Sequence, residues 1–267
     1  MSGQATGLDH VGVAVPDLGA AAEAWAAIGF TVQPLAAHMN GGMPTGTGNR
    51  NIMLREGYVE LLATIDPAKP SGTIGRFLAH HEGIHVLTLA TEDAEAAGQR
   101  LGLAVSRSSR AADPLVPDGP QAAFARIPLA DADPRLQLLQ HLTPALVWQE
   151  RFLGHANQAV ALREVIVAAE APAPFAARLS RVAGRAVVPD PLGGYALRLA
   201  GGQVRVLAPE VAAGLLPGVA MPGPVCIAGL SLATGDGARA AAALPGAEAV
   251  AGGVLLRVTG VGVRFLA

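Results

Sequence analysis

A short β-rich run, then an alanine-rich helical stretch that stops at a glycine, occurs four times in this chain. The runs are "LDHVGVAVPD" (8–17), "GIHVLTLATED" (83–93), "LREVIVAAEAP" (162–172) and "VCIAGLSLATGD" (225–236). The helical stretches that follow, 18–29, 94–102, 173–184 and 237–246, close on Gly29, Gly102, Gly184 and Gly246, the residue type that best accepts left-handed C-terminal geometry. Three strand-like segments come after each helix. In the first unit they are "FTVQPL", "RNIMLRE" and "YVELLA", and in the second "LAVSRS", "QAAFARI" and "RLQLLQ". The order βαβββ, four times over, constrains the fold more than any other feature. One such unit cannot bury both faces of its sheet, whereas two units paired into a curved, half-open barrel bury one face and leave a cup.

Composition fits that architecture. The chain has 267 residues, 51% of them hydrophobic and 15% charged, enough for a large core or for two domains of about 130 residues. The expected division is 1–145, a connector at 146–160, and 161–267. A net charge of −2 with 4% aromatic residues offers neither a basic stripe nor stacking platforms, so a nucleic-acid partner is not expected. Cys226 is the only cysteine, which rules out an internal disulfide and fits a reducing cytoplasm; on its strand it reads as a small buried hydrophobe. The uncharged run 211–234 has the length of a membrane span, but Pro217, Pro222 and Pro224 would break a helix there. A loop followed by a buried strand is the expectation, in a soluble cytoplasmic protein.

Paired βαβββ units opened by "DHVGVAVPDL" resemble the vicinal oxygen chelate superfamily, the fold of glyoxalase I and the extradiol dioxygenases. The stretches "GTGNRNIMLREGYVELLA" (46–63) and "QHLTPALVWQERFLGHANQA" (140–159) resemble a narrower glyoxalase-like branch. The implied fold class is α+β, with four βαβββ modules paired into two half-open barrels (the glyoxalase/bleomycin-resistance/dioxygenase fold). Superposing the units by first strands aligns His10, His85, Glu164 and Ile227; superposing by last strands aligns Glu60, Gln137, Arg205 and Arg264. In the superfamily these positions face the cup and hold a divalent metal, so the resemblance implies His10, Glu60, His85 and Gln137 as ligands of Fe, Mn, Co, Ni or Zn. Two imidazoles and a carboxylate are a donor set such ions accept. Against this stands the plain reading of satisfied core histidines and a Glu60 paired with Arg50 or Arg55. The second half, with Arg205 and Arg264 at the matching positions, cannot hold a cation and is expected to fill its cup with a Glu164–Arg205 salt bridge.

The other candidates surround this set. Glu60 is the expected base, with His38 as additional acid–base group in the Gly-rich loop "AAHMNGGMPTGTGNR", which is long enough to serve as a substrate clamp. Arg50 and Asn49, at the end of that loop, are candidate substrate contacts. Tyr58 shares the face of Glu60 and either offers its hydroxyl or covers the floor. Gln137, where glyoxalase I has a second carboxylate, cannot take a proton, which is a departure from the glyoxalase reaction. His141 is expected at an exposed strand end, His80 and His81 at a solvated helix end, and Trp148 as an anchor of the connector. The expected function is metal-dependent lyase or isomerase chemistry on a small oxygenated metabolite. An Fe(II) extradiol dioxygenase and a non-enzymatic small-molecule binding protein are the alternatives. A monomer and a homodimer are both compatible with four units in one chain.

Overall fold

The computed structural model describes residues 3–40, 43–69, 72–129, 132–235, 244 and 246–266. The first module runs β1 (Ala5–Ala14), α1 (Leu18–Ala27), β2 (Ala36–Asn40), β3 (Met43–Met53) and β4 (Tyr58–Thr64). After α2 (Gly72–His80), the second is β5 (Gly83–Thr91), α3 (Ala94–Leu101), β6 (Ser106–Ala111), β7 (Gln121–Pro128) and β8 (Arg135–His141). A connector of α4 (Pro144–Val147) and a 3-10 turn (Glu150–Phe152) leads to β9 (Ala159–Ala169), α5 (Pro172–Ala183), β10 (Val188–Pro189), β11 (Tyr195–Leu199) and β12 (Gly202–Leu207). Past α6 (Pro209–Leu215) come β13 (Val225–Thr234), β14 (Glu248–Val250), β15 (Gly253–Val258) and β16 (Val261–Leu266). The expected fourth helix, 237–246, lies largely outside the described residues.

Apart from α2, each α-helix begins where its sequence provides a cap or a proline. Asp17 accepts hydrogen bonds from the Gly19 and Ala20 amides, Asp93 accepts from Ala96, and Pro172 opens α5. Gly29, Gly102, Gly184 and Gly246 all take left-handed φ, between 66° and 87°. The repeat therefore holds at its punctuation as well as in its element order.

In the first half β1 and β5 lie antiparallel at the centre; β4, β3 and β2 extend from β1, and β8, β7 and β6 from β5. The second half repeats this around β9 and β13, and the two halves join into one open sheet where Ile227 meets Ile84. Val11, Val13 and Val15 turn to the convex side and pack with Leu18, Ala21 and Trp25 of α1 in a core that continues into the second half. Trp25 is fully buried, and its indole donates to the Thr259 hydroxyl at 2.9 Å. Burying a ring of this size is worth about 4–6 kcal/mol. Arg100 of α3 donates to the carbonyls of Arg181 and Val182 at the end of α5, a second clamp between the halves.

Two segments differ from expectation. Residues 36–40 and 43–50 belong to the paired strands β2 and β3 rather than to a clamp loop, and "FTVQPL" precedes β2. The reason is chemical: Thr47, Asn49 and Asn51 face a polar cup, so the strand lacks the apolar alternation that marks a half-buried one. In the run 211–234 the buried strand is present as β13, but a short helix, α6, begins the segment. Among the described residues no helix is long and apolar enough to cross a membrane.

Candidate active site

The concave face of the first half is written in the strand register. His10, Gly12 and Ala14 lie beside Tyr58, Glu60 and Leu62 of β4, and these face Met53, Asn51 and Asn49 of β3. Gly12 is required there, because a Cβ at this position would stand 2.9 Å from both Leu62 and Val86. α2 closes one end of the cup with Ile74 and Phe77, and the connector closes the other with Trp148, whose indole donates to the Leu54 carbonyl.

A buried relay runs across the floor. Leu8 pairs with Leu89 and His10 with Thr88, so Asp9 is the extra residue of a β-bulge. The bulge turns Asp9 toward its neighbour, and His10 Nδ1 lies 2.6 Å from Asp9 Oδ1. Asp9 Oδ2 accepts from His141 Nε2 at 2.9 Å. On the far side of the ring His10 Nε2 meets the Thr88 hydroxyl at 2.9 Å, and that oxygen accepts from Gln137 Nε2 at 2.6 Å. These contacts suit the His10 tautomer with the proton on Nδ1, donating to Asp9, and the Nε2 lone pair accepting from the Thr88 hydroxyl. Burial alone would raise the Asp9 carboxyl, but its hydrogen bonds from His10 and His141 hold it below the usual aspartate value.

Glu60 stands above this floor with its carboxylate still partly exposed, at 17%. Asn49 Nδ2 donates a short hydrogen bond to Oε1, and His10 Nε2 is 3.6 Å from Oε2. His38 approaches from β2, its Nε2 4.0 Å from Glu60 Oε1 and its Nδ1 2.9 Å from the Thr47 hydroxyl. Burial pushes the His38 imidazole below its ordinary value; Glu60 raises it, and Arg110 and Arg126 lower it further. Tyr58 stacks on His10 with ring centroids 4.4 Å apart, so it covers the floor. Its phenol is pushed well above 10 by burial and by the Asp9 and Glu60 charges, and it stays protonated.

His85 is not part of this group. Gly12 pairs with Val86 and Val13 with Ile84, which makes His85 the extra residue of a further bulge, in β5. It is fully buried and stacked on Phe77, with Nδ1 2.9 Å from Asp133 and Nε2 3.0 Å from the His81 carbonyl. Both ring nitrogens are taken up by these partners, Asp133 on one side and the His81 carbonyl on the other. The expected ligand set of His10, Glu60, His85 and Gln137 is therefore not assembled. Among the described residues no group of three or more His, Cys, Asp or Glu is placed to hold a metal. The donor set does not fit the divalent ion that the resemblance implied.

Other expectations are corrected by position. Arg50 alternates away from Asn49 and Asn51 and donates to the Gln33 carbonyl at 3.4 Å, so it does not line the cup. Glu60 has neither Arg50 nor Arg55 as partner; Arg55 pairs with Glu150. The His141 side chain is only 9% exposed, and the His81 ring lies tilted against His85 with centroids 4.1 Å apart, where burial and that neighbour lower its value to about 4. The Cys226 thiol is buried and pushed up to about 11, as for an inert hydrophobe. In the second half Glu164 accepts from Arg264 at 3.2 Å and Ser231 at 2.6 Å, while Arg205 is 3.9 Å away and bonds chiefly with Asp190. A shallow cavity of about 470 Å³ opens there beside Arg198 and Gln203.

The profile of a glyoxalase-like domain matches residues 8–183. A search of curated proteins returns no match. A hypothetical protein from Staphylococcus aureus superposes with a TM-score of 0.67 at 14% identity, over 97% of this chain and 98% of its own. A triple mutant of 4-hydroxymandelate synthase from Streptomyces coelicolor superposes with a TM-score of 0.62 at 15% identity, over 98% and 92%. At those identities the likeness speaks for the fold alone, which is that of the vicinal oxygen chelate superfamily. By the extent of the profile match and the architecture together, the chain belongs to the glyoxalase-like domain family.

Proposed function

We propose that the protein is an enzyme of isomerase or lyase type that moves a carbon-bound proton beside a carbonyl of a small oxygenated metabolite, with Glu60 as the base. The observation that carries this reading is one partly exposed carboxylate in the cup, 3.6 Å from His10 Nε2 and 4.0 Å from His38 Nε2. Asn49 orients Glu60 Oε1, and the relay beneath keeps His10 from turning away. A carboxylate so placed takes a proton from carbon, and the bonding pair moves onto the carbonyl oxygen as an enolate. His38 is the group for that oxygen. We assign it the tautomer with the proton on Nε2, its Nδ1 lying 2.9 Å from the Thr47 hydroxyl; its lowered value keeps it neutral near pH 7, so it supplies a hydrogen bond without surrendering a full charge. Return of the proton from Glu60 to carbon completes an isomerisation; loss of a leaving group from the enolate completes an elimination.

Many superfamily members use a divalent metal for the enolate; with His85 Nε2 turned to the His81 carbonyl, we assign the steps above to this chain's own residues. The test is exchange in D₂O. Dihydroxyacetone, glyceraldehyde, pyruvate and lactaldehyde are incubated with the protein and followed by proton NMR for loss of the signal beside the carbonyl. Catalysed exchange with at least one of them is expected, and Glu60→Gln should lower it by about 10²–10⁴, the range for losing a general base. Exchange that survives Glu60→Gln, or no exchange with any of the four, counts against the assignment.

A further inference from the structure

The second module brings positive charge to the same cup. Gln137 and His141, two alternations apart on β8, both take part in the cup-floor relay. Between them Leu139 pairs with Arg126 of β7, and His141 pairs with Phe124. Across the next ladder Phe124 faces Ser108, and Ala122 faces Arg110 of β6. Directly opposed residues of antiparallel strands share a face, so Arg110 and Arg126 lie on the concave side with Glu60. Ring geometry agrees: the Arg110 guanidinium is 5.6 Å from the centre of Phe124, whose ring is 5.2 Å from His141. β6 and β2 also approach each other across the mouth, with no ladder joining them.

Neither guanidinium is consumed by the fold. Arg110 is half-buried and Arg126 exposed, and among the described residues neither forms an ion pair or a hydrogen bond. Arg107, on the opposite face of β6, is by contrast paired with Glu95 at 2.8 Å. Arg110 acts electrostatically on both His38 and Tyr58, and Arg126 acts on His38, so both charges are felt at the group assigned to the substrate oxygen. The cup thus presents two uncommitted cations on one wall and one carboxylate on the other.

Resting on the acid–base reading of Glu60, we propose that Arg110 and Arg126 form an oxyanion-binding wall and that the substrate is a small organic anion. Its carboxylate or phosphate head sits on the guanidiniums and its acidic carbon faces Glu60. Guanidinium donors in a fixed fork suit either head group. Attraction to this wall also offsets the repulsion an anion meets from Glu60, which would otherwise exclude such a substrate.

Calorimetric titration with oxalate, inorganic phosphate and neutral oxamide tests the wall. Oxalate or phosphate, or both, should bind, with affinity falling as salt rises, and the tighter of the two identifies the head group. Arg110→Gln and Arg126→Gln should each weaken that binding at least 10-fold, Arg110→Lys less, and Arg107→Gln not at all. The proposal is overturned if neither anion binds, if oxamide binds as tightly as oxalate, or if the Arg110 and Arg126 variants bind like the wild type. Glu60→Gln separates the two readings, because it should keep or strengthen anion binding while removing exchange. Anion binding with this pattern in a protein that catalyses no exchange leaves the wall standing and removes the base.

Discussion

Asp9 and His85 are the same position of the repeat. Each stands eight residues before the N-cap aspartate of its module, Asp17 or Asp93, and each is the extra residue of a bulge in the central strand pair. His10 stands seven residues before Asp17, and its counterpart is Val86. Bulges re-aim side chains, and here one bulge builds the cup floor while the other pins α2. The two histidines should therefore fail differently. His85→Gln leaves the Asp133 carboxylate and the His81 carbonyl short of a donor and should cost roughly 1–3 kcal/mol for each such group, with deuterium exchange kinetics unchanged in the folded protein. His10→Gln should lower exchange at least 10-fold at a smaller cost in stability. Urea melts and exchange rates on both variants check this, and equal loss of activity in the two would place His85 back in the site.

This one-residue offset is also where reading the sequence met its limit. The βαβββ order and the closing glycines were legible because element order and turn chemistry are local. The resemblance placed His10, Glu60 and Gln137 in the cup; alternation gave only the residues that share their faces. A bulge shifts every later assignment by one, and "DHVGVAVPD" against "IHVLTLATED" shows it only when residues are counted to the helix cap rather than matched by histidine. Asp9 and His141 were missed for related reasons. Asp9 shares its neighbour's face only through the bulge, and His141 closes β8, where exposure is the ordinary expectation. Arg110 carried no signal, because "SRSSRA" reads as a solvated edge until β7 and β8 show which face it takes.

Asp9 links stability to acid. Its carboxyl lies below the usual value of 3.8 in the folded protein, so the unfolded chain binds the proton more readily. The stabilisation is full above the unfolded value and is lost as pH falls through the folded one. Asp9→Asn should melt at lower urea than wild type at pH 7, and the gap should narrow below about pH 4. Urea titrations from pH 7 to pH 3 measure it; a gap that widens on acidification contradicts the relay.

His38 titrates in reach of NMR. Burial sets its midpoint below 6.5, and the Glu60 charge is what raises it. A group with a lowered folded value lets the unfolded chain take the proton first, so this histidine destabilises the protein as pH drops through 6.5 toward that midpoint. Replacing Glu60 by Gln removes the raising charge, and the His38 midpoint should move further down. Proton spectra of the His38 C2–H from pH 8 to pH 4 report both shifts. An unchanged or higher midpoint in Glu60→Gln would mean that the two side chains do not face each other in solution.

The second cup makes the opposite use of the same fold. Glu164 takes the place that His10 has in the alignment of first strands, yet it is spent on Arg264, Ser231 and Gln203. Arg264 is 5% exposed and sends its other terminal nitrogen to the Ala251 carbonyl, while Glu164 keeps 13% of its side chain exposed at the edge of the shallow cavity. Removing one member of such a pair leaves an uncompensated buried charge, whereas removing both with apolar groups of similar size relieves both desolvations. Glu164→Leu should therefore cost about 3–5 kcal/mol, and Arg264→Met a similar amount. The double variant should recover most of the loss, with a coupling energy of about 1–3 kcal/mol in a double-mutant cycle. None of the three should alter oxalate binding or exchange in the first cup, because the partners Ser231, Gln203 and Ala251 all belong to the second half. Urea melts of the four proteins, with exchange measured on each, decide whether the second half is a filled barrel or shares the work of the first.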